Sequence, residues 1–276
     1  MRFALLLACA ASLHAAAEPI QDEALHLEVL QKLFPGLTVR ALPGRTADTG
    51  HTEGIRHPLA FPDAFATLPL YQVIGSAATE IEVCASRHDT ARKAELPREV
   101  RLQLYRWPVG APSELLAVLQ YRFPNADPGP MCTSIAYLAH LTGEGEGREL
   151  LELKALNPWC HYALQSVRLV DLTGDGIPEL LVESDTGDAN IHATELLVYE
   201  LAEGDFHRLF SGQTRWNSEP ADSTVWTQTL DVARTQREKA KRFCFEKTVY
   251  ADSGKWFTHP KLTRPCYPQE VLEPQP

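Results

Sequence analysis

DLTGDGIPEL, Asp171 to Leu180, is the stretch from which the fold is read. Val167, Leu169 and Val170 precede it, and Leu180, Leu181 and Val182 close it. Short apolar runs rich in branched side chains on both sides of a glycine-containing turn predict two strands joined by a tight reversal. Inside the turn Asp171, Thr173 and Asp175 stand at alternate positions, Gly176 follows, and Glu179 ends the set. Three carboxylates at this spacing repel one another unless a cation lies between them. Calcium takes six to eight oxygen ligands at about 2.3–2.6 Å. The expected ligands are Asp171, Thr173 and Asp175, the backbone carbonyl of Ile177, and Glu179, with water completing the shell. Gly176 permits the sharp turn because it has no Cβ to clash.

The loop is not a complete EF-hand. A bidentate Glu belongs at position 12 of such a loop, and that position is Val182. Its flanks are also strand-like where an EF-hand has helices. The loop resembles the DxNxDGxxD loop of FG-GAP or VCBS-type repeats, the calcium-binding blades of integrin-like β-propellers. The resemblance covers about residues 166–210. Thr173 stands for the Asn of that pattern and Glu179 for its last Asp; both still offer oxygen. The resemblance implies blade-like antiparallel sheets and a structural Ca2+. A neutral Thr and the lack of a position-12 Glu place the affinity in the weaker range, about 10⁻⁵–10⁻³ M.

Outward from this loop the chain is a succession of short strand candidates. YQVIG, TEIEVCAS, EVRLQLYRW, LLAVLQYRF, SIAYLAHL, RELLELKAL, SVRLVDL, PELLVES, TELLVYEL and FHRLF run from Leu70, followed by TVWTQTLDV, RFCFEKTVY and KWFTH. Turn signals separate many of them, which predicts a mostly β protein of antiparallel sheets, propeller-like blades or alternatively a β-sandwich. LAHLTGEGEGRELLEL, from Leu138, can be laid on LVDLTGDGIPELLVES, from Leu169, with His140 in the place of Asp171 and Glu144 in that of Asp175. This is either a second blade loop that has lost its metal site or a chance likeness of two turns. In both cases no calcium is expected at His140–Glu149.

One helix is predicted, from Ile20 to Phe34. Asp22 can cap it, Leu25, Val29 and Leu33 recur at helical spacing, and Pro35-Gly36 stops it. Residues 41–69 show no period and predict a loop or linker; His51 and His57 lie there. The domain reading is therefore a targeting segment at 1–17, helix and linker at 18–69, and a β-rich calcium-binding domain at 70–276. Arg2, the apolar run Phe3 to Leu13 and Ala15-Ala16-Ala17 have the order of a secretory signal peptide cleaved before Glu18. Leu6-Leu7-Ala8-Cys9 offers a lipid anchor at Cys9 as the lesser alternative. A periplasmic or secreted location is expected, with no transmembrane segment.

The segment 1–17 holds one of the 26 basic residues and none of the 36 acidic ones, so its removal takes the net charge from −10 to −11. An acidic chain is compatible with a cation ligand and gives no support for nucleic-acid binding. Cys84, Cys132, Cys160, Cys244 and Cys266 remain, without a CxxC pair. Five cysteines leave one unpaired, and fifteen arrangements are open. Short loops favour Cys244–Cys266 and Cys132–Cys160, with Cys84 as a buried thiol.

No GxSxG elbow, HExxH, Walker loop or GxGxxG is present. Trp159, His161 and Tyr162 around Cys160 are read as aromatic packing on a disulfide. Arg234, Arg237, Lys239, Lys241 and Arg242 are read as a solvated hairpin tip, with anionic-surface binding as the alternative. The sequence thus predicts an exported binding or interaction module with a protein or glycan partner in the envelope or outside the cell. Its alternatives are a periplasmic inhibitor of a cell-wall hydrolase and a glycan-active hydrolase with an unrecognised carboxylate site.

Overall fold

The computed structural model describes residues 19–42, 69–74, 98–107, 113–122, 134–156, 163–185, 191–202, 204–218 and 224–269. The expected signal segment with Cys9, the histidines at 51 and 57, Cys84, Cys132, Cys160 and the expected aromatic packing at 159–162 lie outside these residues.

The described chain is mostly β, in two antiparallel sheets with one N-terminal helix. The helix α1 spans Glu23–Leu33. The first sheet contains β1 (Thr38–Ala41), β2 (Leu70–Ile74), β3 (Arg98–Arg106), β4 (Leu115–Arg122), β5 (Ser134–Thr142) and β6 (Glu149–Ala155). The second contains β7 (Ala163–Val170), β8 (Glu179–Asp185), β9 (Ile191–Ala202), β10 (Asp205–Ser218), β11 (Val225–Leu230), β12 (Arg242–Asp252) and β13 (Lys255–Thr263). A short strand β14 (Cys266–Pro268) also pairs with β12, and a second helix α2 (Val232–Arg237) joins β11 to β12. Within each sheet the spatial order is the sequence order. That up-and-down order is the order within a propeller blade, while the face-to-face stacking below is that of a sandwich.

Side-chain alternation explains the layering. In β4 Leu115, Ala117 and Leu119 face one way and Leu116 and Val118 the other, and all five are buried. A strand apolar on both faces needs cover on both. Leu116 and Val118 join Tyr105, Ala136 and Leu138 against Val167, Leu169, Val182, Leu197 and Phe206 of the second sheet. Leu115, Ala117 and Leu119 pack with Tyr137, Ala139 and Leu141 under Val29, Leu30 and Leu33 of α1 and Phe34 at its C-cap. A third core lies on the far face of the second sheet, where Leu172, Leu181, Val198 and Phe210 meet Ala240, Phe243 and Phe245. Each Val, Leu or Phe among them, fully buried, contributes about 1.5–3 kcal/mol.

Polar groups lock the layers together. The Tyr105 hydroxyl donates to the Val167 carbonyl across the sheets at 2.8 Å, and burial pushes its phenol pKa up. The β9–β10 turn is clasped from the first sheet: the Phe206 amide donates to Glu152 at 2.7 Å, the Lys154 ammonium donates to the Phe206 carbonyl, and His140 lies 3.3 Å from Glu114 and 3.4 Å from the Gly204 carbonyl.

The helix is shorter at its start than the sequence predicts. Asp22 is the cap, accepting from the amides of Ala24 and Leu25. Ile20 is instead bridged to Leu104, its amide donating to the Leu104 carbonyl at 2.8 Å. Its carbonyl takes the Nε2 proton of the buried His26, so Nδ1 is left to accept from the Tyr71 hydroxyl at 2.8 Å. Burial lowers the His26 pKa and raises that of Tyr71 to about 12, so both are neutral where they meet. β1, inside the stretch expected to be helix and linker, pairs with β2 from Thr38↔Ile74 to Ala41↔Tyr71.

The basic run is not a simple hairpin tip. Asp231 caps α2 through the Arg234 amide, and a turn with left-handed Lys239 and Ala240 leads into β12. Cys244 and Cys266 sit directly opposite each other on β12 and β14 and are disulfide-bonded.

Candidate metal centre

The DLTGDGIPEL loop joins β7 to β8, which form a ladder up to the pair Val170↔Glu179. Asp171 is the first residue beyond β7. Its carboxylate accepts from the Gly174 amide at 2.6 Å and the Gly176 amide at 3.0 Å. Asp175 accepts from the Ile177 amide at 2.8 Å. Gly174 and Gly176 have φ of +77° and +89°, which turns these amides inward at a backbone conformation glycine adopts without strain. A carboxylate offers about four acceptor positions, so Asp171 retains capacity after two hydrogen bonds.

Leu172 fixes the loop from below. Its side chain is buried in the third core, and its amide donates to Glu179 at 2.5 Å. Glu179 is only 3% exposed. Burial is the main cause that lifts its pKa to about 7; the hydrogen bonds from Leu172 and its own amide oppose this, and the charges of Asp171 and Asp175 add to it. Glu179 therefore feels the charges of both aspartates. The Thr173 hydroxyl oxygen is buried and makes no hydrogen bond. An unpaired buried hydroxyl is costly, and this one belongs to the residue expected to ligate between Asp171 and Asp175. The Ile177 side chain is exposed.

Among the described residues no three His, Cys, Asp or Glu side chains are drawn together as a metal-binding group. Carboxylates alone do not form a cage here. A cation would need the Thr173 hydroxyl and a loop carbonyl as well, a hard-oxygen donor set of the kind calcium takes. The residues present fit that ion: anionic oxygens with spare lone pairs, a hydroxyl without a partner, and a carboxyl whose charge lacks compensation.

No protein-family model, curated protein or solved structure matches the chain.

One neighbour of the loop is absent from the sequence reading. Gln236 of α2 donates its side-chain amide to the Asp171 carbonyl at 2.6 Å. It lies 65 residues away, and no local pattern points to the contact.

The proposed second copy has a different geometry. Thr142↔Glu149 closes its hairpin, and the turn holds a single 3-10 turn at Gly145–Gly147. His140 lies within β5, paired with Leu116 and Glu152, whereas Asp171 lies beyond its strand. The two hairpins share a strand–turn–strand shape, but His140 and Asp171 are not equivalent positions. Gly143 is required by its own turn: its φ is +77°, and a Cβ there would meet the Gly147 carbonyl oxygen at 2.4 Å.

Proposed function

We propose that this protein is an exported binding module whose β7–β8 hairpin is held by a structural calcium ion. The observation that carries this is the buried, unpartnered Thr173 hydroxyl in a loop that also presents Asp171, Asp175 and the charge-stressed Glu179. Asp171, Thr173, Asp175, the Ile177 carbonyl and Glu179 would hold the ion, which would supply the positive charge that the loop lacks. The role is structural because Leu172 ties the loop into the third core and Gln236 ties it to α2. The resemblance to FG-GAP or VCBS-type loops supports this at the level of the hairpin. Export and a protein or glycan partner in the envelope or outside the cell complete the proposal, on the strength of residues 1–17 and the five later cysteines. Among the described residues no helix is long and apolar enough to cross a membrane.

The test is calorimetric titration of chelator-stripped protein with calcium, beside thermal melts in calcium and in chelator. Ligand at a hundredfold excess over Kd stabilises the folded state by about 2.7 kcal/mol. Asp175→Ala should lose most of that stabilisation, and magnesium should replace calcium poorly because it demands a smaller octahedral shell. No binding heat and no calcium-dependent change in melting would reduce the loop to a glycine turn.

A further inference from the structure

The charge of this chain is divided unevenly. Residues 232–264 hold nine of its 26 basic and three of its 36 acidic residues, a local charge of +6 within a chain of net charge −10. The structure gathers the end of this segment on an open edge. β13 is the last strand of the second sheet, and no described strand pairs with its outer side. Thr263 faces Lys247 and Cys266 faces Cys244, so β13 and β14 continue one another along β12 in a single register. The Cys244–Cys266 disulfide anchors this long edge.

The edge is basic and apolar together. Lys255 to Arg264 contains Lys255, Lys261 and Arg264 and no acidic residue. Trp256 is 60% and Leu262 59% exposed, and Tyr267 is exposed beyond them. Lys261 stands over the Phe257 ring at 4.1 Å, and Lys247 over the Trp226 ring at 3.8 Å. Glu246, which pairs with Arg264 at 3.1 Å, and Asp252 are the acidic residues on the neighbouring strand. The ladder also shifts between Trp256 and Lys261, where Phe257 to Pro260 bulge opposite the single residue Tyr250. A bulge with a proline obstructs the addition of another strand, so the edge is not built to extend a sheet.

We propose that this edge is the docking surface for a lipid bilayer bearing anionic headgroups. Lysine is depleted at protein–protein interfaces, whereas lysines beside exposed Trp and Leu suit a membrane surface, where the indole sits at headgroup level and the cations meet lipid phosphate. The rest of the chain is net acidic and is repelled by such a surface, so the approach of this edge is electrostatically favoured. The inference goes beyond the module reading and does not depend on calcium.

The test is sedimentation of the full chain with phosphatidylcholine vesicles, with and without 30% phosphatidylglycerol (about 0.3 mole fraction, a composition chosen to give an anionic surface), in chelator throughout. Calcium bridging then plays no part, and a failure of the calcium site leaves the result readable. Binding is expected to the anionic vesicles only, weakening steeply with salt. A basic residue near an anionic surface contributes about fivefold in affinity. Lys255→Glu with Lys261→Glu should therefore weaken binding by at least about twentyfold. Trp256→Ala should weaken it without changing the melting temperature, and Trp256→Phe should abolish the blue shift in emission on binding. No binding to anionic vesicles at low salt overturns the proposal. So does binding that these substitutions leave unchanged, or equal binding to soluble polyglutamate with no change in emission.

Discussion

Glu179→Gln in chelator probes the charge stress of the loop directly. The carboxyl has an ordinary value of 4.5 and is raised to about 7 in the folded chain, first by burial and then by Asp171 and Asp175 against the opposing Leu172 hydrogen bond. A group whose pKa is raised by folding binds its proton more tightly in the folded state. Its contribution to stability is complete below 4.5 and is lost as pH rises through 7. At about 1.4 kcal/mol per pH unit between the two values, the loss is about 3 kcal/mol. For a chain of this size that is about 5 °C in melting temperature. Glutamine keeps an oxygen to accept from the Leu172 amide and carries no charge. Its unpaired NH2 has a cost that does not vary with pH, so the slope is informative where the absolute value is not. The stability of Glu179→Gln relative to wild type should rise by about 3 kcal/mol between pH 4 and pH 8, measured by urea unfolding. Saturating calcium should shrink or reverse that rise, because the ion favours the charged carboxyl. A difference constant across this range in chelator would refute the account of Glu179.

Two further outcomes follow from the packing. A Cβ on Gly212 would meet the Phe210 ring at 2.6 Å, and that ring is stacked on Phe243 with centroids 4.8 Å apart. Gly212→Ala should therefore cost about 1–3 kcal/mol in urea unfolding, and an unchanged midpoint would show that the third core yields easily. The Cys244–Cys266 bridge closes a separation of 22 residues, so replacing both cysteines with serine should cost about 3 kcal/mol. Non-reducing peptide mapping should recover the pair intact, and Cys244 found free or joined elsewhere would overturn the pairing.

Local chemistry was legible in the sequence, and long-range assembly was not. The strand–turn–strand at Asp171–Leu180 follows from apolar runs around positive-φ glycines, and α1 from an Asp cap with helical apolar spacing. The start of α1 was misplaced because Ile20 is apolar for another reason, its bridge to Leu104. β1 has only four residues, TVRA, too few to show a period. α2 is six residues long, VARTQR, too short a stretch to show a helical period. Nothing local marks where the first sheet ends and the second begins. The apolar run Leu115–Leu119 in β4 does show that its sheet is covered on both faces, but not that α1 is one of the covers. At the loop, the hydrogen bonds that Asp171, Asp175 and Glu179 accept are all local to it, while the contact from Gln236 was not readable because it comes from α2, 65 residues away.

That contact joins features the sequence presents as separate. Within α2, Gln236 holds the Asp171 carbonyl, Thr235 accepts from the Cys244 amide at 3.1 Å, and Arg234 lies against the Cys266 sulfur at 3.1 Å and also donates to the Arg264 carbonyl. Three consecutive side chains thus reach the loop, the disulfide and the basic edge. Thr235 is fully buried, and Ala240 in the turn after α2 shares the third core with Leu172 of the loop. Displacing the loop therefore has two routes to the edge strand: through the hydrogen bond to Gln236 and through the third core that Leu172 and Ala240 share. Each route ends in α2 or the turn that follows it, both fixed to β12 by chain connection and by the Cys244 amide. An ion that holds Asp171 and Asp175 would stiffen the same short helix that positions Arg264 and Cys266, so loop and edge belong to one mechanical unit although 65 residues separate Asp171 from Gln236.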